Sequence, residues 1–154
     1  KFQTYEDFGK ASLREVYGEE LDKARHLAAT NFATSILINE ENKRFSFSPL
    51  SNTVQISSIN RILTLQHNEE KNMKLILLGN LYGSEVETPR NDASYGHYLI
   101  SKGDGIFEPT MAQQSGLYVQ GDVRAASYIH LGRNKQKGML VARNNAPLLL
   151  YKIP

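Results

Sequence analysis

The most concentrated group of side chains that could do chemistry lies in a long polar stretch, residues 82–94. Glu85 and Glu87 alternate there, so they would share a face if the segment were an extended strand. Asp92 follows, and Arg90 lies between these acids. Paired carboxylates can carry out glycosidic acid–base chemistry or hold a cation. The alternative, which we prefer, is a salt-bridged loop in which Arg90 neutralises its neighbours.

Four tyrosines lie in or near this acidic stretch, namely Tyr82, Tyr95, Tyr98 and Tyr118, and Tyr82 and Tyr95 flank it directly. Exposed tyrosines can stack on sugar rings, although packing against a half-buried sheet is their more ordinary use. We therefore define a candidate ligand-binding set, which comprises Tyr82, Glu85, Glu87, Arg90, Asp92 and Tyr95.

No other motif in the sequence indicates catalysis or a cofactor. The chain has no cysteine, which excludes disulfides, thiolate metal sites and cysteine nucleophiles. Its histidines do not form a pair at metal-ligand spacing, and no nucleophile elbow or phosphate-binding loop is present. The histidines are His26, His67, His97 and His130. We therefore expect no catalytic residue and no cofactor, and a binding role is favoured over an enzyme.

Sequence periodicity predicts a short helical segment followed by an antiparallel β assembly. Thr4 can cap a first helix that ends at Gly18, and a second helix follows from Glu19. From Thr30 onward, short apolar runs alternate with turns rich in Asn, Gly, Lys and Ser. The predicted strands are 31–38, 43–48, 54–65, 73–80, 96–101, 105–109, 122–131, 137–143 and 147–152.

An internal repeat of two hairpins gives the strongest indication of architecture. Residues 35–49 correspond to 97–109, and residues 62–80 correspond to 128–145. One such unit cannot bury its own apolar faces, so the repeat predicts a propeller or a solenoid. The predicted divisions are a helical segment (1–27), a first blade-like repeat with its connecting loop (28–95) and a second blade-like repeat (96–154).

Several motifs together resemble one family. Residues 103–109, Gly-Asp-Gly-Ile-Phe-Glu-Pro, resemble the Gly-Asp-Gly-x-Phe-x-Pro turn and strand of FG-GAP/VCBS-repeat β-propeller proteins. Further stretches are similar to the C-terminal part of the exported bacterial branch of that family, which is similar to cartilage-acidic-protein-like proteins. These stretches are 5–11, 79–87, 90–96, 115–124 and 141–148.

This resemblance implies a partial propeller of about two blades, each normally built of four strands. Since the sequence begins at Lys1, we expect an N-terminal piece to have been removed. We expect the partner to be the remainder of a parent propeller or a second copy, because two blades leave sheet faces uncovered. The implied function is a non-enzymatic module for extracellular protein or glycan interaction, with a periplasmic, outer-membrane-attached or extracellular location. The alternative is a carbohydrate-processing hydrolase or accessory that uses Glu85, Glu87 and Asp92.

The calcium loop of the family is degenerate here. Its acidic positions fall on Gln66, Asn68, Glu70 and Lys74, of which only Glu70 keeps a carboxylate. Ca²⁺ prefers six to eight hard oxygen ligands, and Lys74 would place a positive charge beside it. The corresponding loop of the second repeat, residues 132–138, is cationic. We therefore expect no calcium in this portion.

Composition excludes several broad classes. The 154 residues are 40% hydrophobic and 22% charged, which is typical of one globular domain. The net charge of +2 is too small to indicate nucleic-acid binding. No apolar run approaches the ~18 residues that a membrane-spanning helix needs.

Overall fold

The computed structural model describes residues 1–41, 44–65 and 72–153, within two compact units, Lys1–Phe32 and Ala33–Pro154. The first unit contains three short helices: α1 (Tyr5–Lys10), α2 (Leu13–Tyr17) and α3 (Glu20–Lys23). The predicted cap at Thr4 is confirmed, because the Asp7 amide donates to Thr4 Oγ1 at 3.1 Å.

The predicted first helix is interrupted at Ser12. Ser12 has an extended backbone, and its hydroxyl accepts from the Glu15 amide at 3.3 Å. The Glu15 carboxylate accepts in return from the Ser12 amide at 2.7 Å. This reciprocal capping box starts a new helix at Leu13, which then ends at Gly18 as predicted. The helical pattern after Glu19 forms only α3.

The second unit is built from antiparallel strands. Among the described residues there are nine: β1 (Ser35–Glu40), β2 (Arg44–Pro49), β3 (Ile59–Leu65), β4 (Lys74–Gly79), β5 (His97–Gly103), β6 (Ile106–Thr110), β7 (Val123–Leu131), β8 (Gln136–Arg143) and β9 (Ala146–Lys152). They form three sheets with the orders β1-β2, β3-β4-β5-β6 and β7-β8-β9. A 3₁₀ turn (Asn52–Val54) and the helix α4 (Ala112–Ser115) lie between strands. The mainly β, antiparallel fold class is confirmed, whereas within the described residues no sheet closes on itself and the propeller stays a prediction.

Each of the four predicted hairpins is an antiparallel strand pair. The pairs are β1-β2, β3-β4, β5-β6 and β7-β8. In addition, β4 pairs with β5, with Leu75 opposite Leu99. The four-stranded sheet therefore contains strands from both sides of the predicted boundary at residue 95.

The strand predicted at 54–65 begins later than expected. Val54 is buried within the 3₁₀ turn, and β3 starts only at Ile59. The side chain of Gln55 explains the difference, since it bonds to backbone that a strand partner would otherwise satisfy. Its Oε1 accepts from the Thr34 amide at 2.7 Å, while Nε2 donates to Thr34 O at 3.0 Å and Leu50 O at 2.9 Å.

Strand β4 is buried on both faces and forms the centre of the second unit. On one face, Leu75 and Leu77 join a core cluster with Leu50, Val54 and Leu99, against which Ile36 of β1 packs. On the other face, Ile76 and Leu78 join a cluster whose further members are Leu63, Leu117, Val119, Val123, Ala126, Met139 and Val141. Each fully buried aliphatic side chain contributes about 1.5–3 kcal/mol of transfer free energy. The four-stranded sheet is thus the middle layer of a three-sheet stack.

The two outer faces of this stack are apolar and exposed. Because Ile36 packs inward, Leu37 points to the opposite face of its strand. Leu37 pairs with Phe47, which is 64% exposed, and Phe45 is exposed two residues away. On the three-stranded sheet Leu149 packs inward, so Leu148, which is 61% exposed, and the exposed Leu150 point outward. We call these surfaces the β1-β2 outer face and the β7-β9 outer face.

Candidate functional site

The connection between β4 and β5 carries the candidate ligand-binding set, and Asn80 holds its two ends together. Asn80 is buried and has a φ of 79°. Its side-chain Nδ2 donates to Ser94 O at 2.7 Å, and its Oδ1 accepts from the Ser94 amide at 3.1 Å. Within this connection Leu81 and Asn91 form an isolated antiparallel bridge. The connection is therefore a closed, hydrogen-bonded loop.

Asparagine side chains also join this loop to the two larger sheets. Asn80 Nδ2 donates a second bond to Gly121 O at 3.1 Å. Asn60 Nδ2, on β3, donates to Asn80 O at 2.8 Å and to Val123 O at 2.9 Å. Since buried polar groups need partners, these bonds fix the loop relative to both β3 and β7.

Asp122 contacts the Tyr82 end of the loop and helps to hold it in place. Its side chain is 0% exposed, and Oδ2 accepts from Arg124 Nη2 at 2.8 Å. Weaker contacts at 3.5 Å and 3.4 Å come from the Tyr82 amide and Asn144 Nδ2. The other oxygen, Oδ1, is buried and has no hydrogen-bond partner among the described residues. Arg124 supplies the positive charge that a buried carboxylate requires.

The two glutamates of the set lie in a turn rather than on a strand. Thr88 N donates to Glu85 O at 3.0 Å and closes this turn. The Glu85 carboxylate accepts from the Glu87 amide at 3.3 Å and from Thr88 Oγ1 at 3.2 Å. The extended strand that would align the two carboxylates is therefore not formed. Glu85 serves its own turn, and Glu87 is exposed.

Arg90, Asp92 and Tyr82 do come together. Arg90 Nε donates to Asp92 Oδ2 at 2.8 Å, and the Arg90 guanidinium carbon lies 4.6 Å from the centre of the Tyr82 ring. Both charged side chains of this pair are largely exposed. The arrangement matches the salt-bridged loop that we preferred from the sequence. It also presents a mixed aromatic and charged surface to solvent.

Tyr95 lies in a second aromatic pair. It stacks on Tyr118, with ring centres 4.5 Å apart and an interplanar angle of 13°. The backbone of this pair is fixed, because Val119 N donates to Tyr95 O at 2.8 Å and Tyr151 Oη donates to Tyr118 O at 2.7 Å. Desolvation and the neighbouring Tyr95 raise the pKa of Tyr118. Tyr118 was not in the candidate set, because only the tertiary fold places it beside Tyr95.

Ser94 and His97 form a hydrogen-bonded pair of the types used in nucleophilic catalysis. Ser94 Oγ and His97 Nε2 are 3.1 Å apart, and burial lowers the pKa of His97. Ser94 is buried, however, and its Oγ also accepts from the Gly96 amide at 3.1 Å. A serine without solvent access and with its oxygen already bonded is a structural residue rather than a nucleophile.

The predicted metal positions are only partly described. Gln66, His67, Asn68 and Glu70 lie outside the described residues, and Lys74 is the first residue of β4. Within the described ranges, no three His, Asp or Glu side chains are placed together so that they could hold a metal ion. Over the same ranges, none of the helices has the length and apolar character needed to cross a bilayer.

Comparisons with known proteins find no relative of this chain. A scan against protein-family models finds no family that matches this chain, and searches of curated proteins and of solved structures find no similar protein. The resemblance to FG-GAP/VCBS-repeat proteins therefore rests on sequence motifs.

Proposed function

We propose that this chain is a non-enzymatic binding or scaffold module, whose sheets stack against further β-sheet in a repeat β-propeller of an exported bacterial protein. The observation that carries the proposal is the pair of exposed apolar faces at the two ends of the three-sheet stack. Contiguous exposed apolar surface marks interaction sites in folded proteins.

The packing inside the second unit supports this proposal. The middle sheet buries both of its faces against neighbouring sheets of the same kind. The β1-β2 outer face and the β7-β9 outer face repeat that apolar pattern but have no covering layer among the described residues of the second unit. Another sheet on either face would continue the stack in the same manner. In addition, the sheet in which β9 is the last strand has three strands, whereas the middle sheet has four.

The Gly-Asp-Gly motif has a structural use that fits the proposal. Gly103, Asp104 and Gly105 all have positive φ, at 93°, 50° and 74°. A Cβ on Gly105 would lie 2.4 Å from Ile38 Cδ1, so any other residue would force the Ile38 side chain to shift, and the positive φ also favours glycine. The motif therefore serves sheet packing, and we assign it no calcium chemistry.

The ligand of this module would be a protein or a glycan outside the cell. The exposed Arg90 and Asp92 and the half-buried Tyr82 supply one patch of aromatic and charged groups, and Tyr95 with Tyr118 supplies an exposed aromatic platform. Aromatic faces stack on sugar rings and anchor protein interfaces equally well. The paired-carboxylate geometry of a glycosidase receives no support from the turn at Glu85.

Sedimentation velocity of single variants tests the sheet-docking proposal. An isolated chain is expected to self-associate through its uncovered faces, and Phe47→Lys or Leu150→Lys should reduce this association. Val86→Lys is the matched control, because Val86 is an apolar residue that is 99% exposed but belongs to the loop between β4 and β5 and to neither outer face. Equal behaviour of all three variants and the unmodified chain would contradict the proposal.

A further inference from the structure

Two solvent-exposed tyrosine rings are in contact in the segments that lead into the two larger sheets. Tyr95 precedes β5 and Tyr118 precedes β7, and their rings stack with centres 4.5 Å apart at an interplanar angle of 13°. Tyr95 is 41% exposed and Tyr118 is 56% exposed, so an oxidant in solution can reach both rings. Among the described residues, no other two tyrosine rings are in stacked or edge contact. The pair is therefore placed for a reaction between two phenols.

The backbone on both sides of the pair is fixed, which keeps the two rings together. Val119 N donates to Tyr95 O at 2.8 Å. Gly96 has a φ of 87°, and a Cβ there would lie 3.2 Å from Leu117 Cδ2, so the two chain segments approach closely at this point. Leu117 and Val119, the neighbours of Tyr118, are both buried. Such preorganisation makes a reaction between the two rings effectively unimolecular and favours it over one between separate molecules.

The composition of the chain directs one-electron oxidation to tyrosine. The sequence contains eight tyrosines but no cysteine and no tryptophan, the two side chains that most readily quench a tyrosyl radical. Methionine, of which there are three, is oxidised by oxygen transfer to its sulfur. Desolvation and the neighbouring Tyr95 raise the pKa of Tyr118, so at neutral pH this phenol is protonated and loses its proton together with the electron. Oxidation therefore yields a neutral tyrosyl radical beside a second phenol.

We propose that Tyr95 and Tyr118 form a modification site, an intramolecular dityrosine cross-link made by a haem peroxidase that uses hydrogen peroxide as the oxidant. Each phenol loses one electron and its hydroxyl proton. The two radicals join through a new bond between ring carbons ortho to the hydroxyl groups, and the two hydrogens on those carbons move to the phenol oxygens. The two electrons and two protons released reduce one hydrogen peroxide to two molecules of water. Because both rings are exposed, they have room to rotate out of the stack and form this bond.

This cross-link is a covalent staple in a chain that has no disulfide. It joins the segments that lead into β5 and β7, which belong to different sheets. Closing this loop restricts the unfolded chain, as a disulfide does, and so raises stability. The gain does not depend on whether the outer faces dock further sheet, so the inference stands apart from the proposed function.

Treatment of the dilute 154-residue chain with a haem peroxidase and hydrogen peroxide tests the inference. We expect dityrosine fluorescence in the monomer, a mass lower by two hydrogen atoms, and tandem mass spectra that join Tyr95 to Tyr118. The treated chain should also unfold at a higher urea concentration than the untreated chain. Cross-links between other tyrosines with Tyr95 and Tyr118 unmodified would overturn the inference, and so would the absence of dityrosine from the monomer.

Single substitutions locate the cross-link. Tyr95→Phe and Tyr118→Phe each keep an aromatic ring but remove one phenol, so each should abolish both the dityrosine of the monomer and the gain in urea resistance. Tyr5→Phe is the matched control and should leave the cross-link unchanged, because Tyr5 is almost fully exposed and contacts no tyrosine ring among the described residues. All three positions are exposed, so folding should persist, which circular dichroism checks. Equal cross-linking in Tyr118→Phe and Tyr5→Phe would contradict the assignment, and an unchanged urea midpoint of the treated chain would contradict the staple.

Discussion

The side-chain amide of Asn80 pairs with the backbone of Ser94 in both directions, donating to its carbonyl oxygen at 2.7 Å and accepting from its amide at 3.1 Å. This pairing closes the loop that carries Tyr82, Arg90 and Asp92. The same amide reaches Gly121 O, so one side chain ties the loop to the segment that precedes β7. The candidate binding surface is therefore fixed to the sheet stack.

Replacing Asn80 tests whether its side-chain hydrogen bonds, and not its burial alone, stabilise the protein. Asn80→Asp keeps an acceptor for the Ser94 amide but removes both donated bonds and places a carboxylate oxygen near two carbonyl oxygens. We expect a loss of about 2–4 kcal/mol in the free energy of unfolding, measured by urea denaturation. Asn39→Asp, on an exposed position of β1, is the control. Equal stability of the two variants would argue against the pairing.

His97 should make stability depend on pH. Burial lowers the pKa of His97 from its usual 6.5, so the unfolded chain binds a proton more readily than the folded chain. Stability is therefore complete above about pH 6.5 and falls as the pH drops below that value. The measurement is urea denaturation at about pH 7.5 and about pH 5.5.

The test variant for this prediction is His97→Gln, and the control variant is His130→Gln. His97→Gln removes the titrating ring and should reduce the difference in stability between the two pH values. His130 is exposed on β7, so His130→Gln should keep that difference. An undiminished difference in His97→Gln would refute the assignment.

Two tyrosines that differ in hydrogen bonding form a matched pair. Tyr128 Oη is buried without a partner among the described residues, whereas Tyr151 Oη donates to Tyr118 O. Tyr128→Phe should leave stability unchanged or raise it by up to about 1 kcal/mol, and Tyr151→Phe should lower it by about 1 kcal/mol. Thermal and urea denaturation report both values. A larger loss in Tyr128→Phe than in Tyr151→Phe would show that the Tyr128 hydroxyl is satisfied.

We expect that Glu85 and Glu87 take no part in catalysis. Glu85 caps its own turn through Thr88, and Glu87 is exposed. We expect the chain to release no product from chromogenic glycosides, and we expect the Glu85→Ala, Glu87→Ala double variant to stay folded with a stability loss under about 1 kcal/mol. Turnover by the unmodified chain that disappears in the folded double variant would establish the hydrolase instead.

Much of the β structure could be predicted from the sequence, because short apolar runs and polar turns are local signals. The predicted and observed strands agree to within two residues at each end, except at 31–34, which precede β1, and at 54–58. There the Gln55 side chain bonds to Thr34, 21 residues earlier, and periodicity carries no information about such a bond. The helix break at Ser12 was missed because the apolar pattern continues across the capping box.

The site was harder to predict than the strands. The salt-bridged pair Arg90–Asp92 is local, and the sequence indicated it. Asn80 is 14 residues from Ser94 and 41 residues from Gly121, and Asp122 is 40 residues from Tyr82. The pairing of β4 with β5 brings Asn80 to Ser94, and the packing of the two larger sheets brings this loop to Gly121 and Asp122, so residue spacing along the chain does not encode these contacts.

The most direct test of sheet docking is the weight-average mass of the unmodified chain, measured by sedimentation equilibrium over a range of concentrations. The exposed outer faces predict a mass that rises reversibly above 17.4 kDa with concentration. They also predict that the rise diminishes in Phe47→Lys and Leu150→Lys. A mass that stays at 17.4 kDa at every concentration would contradict the proposal that these faces dock further sheet.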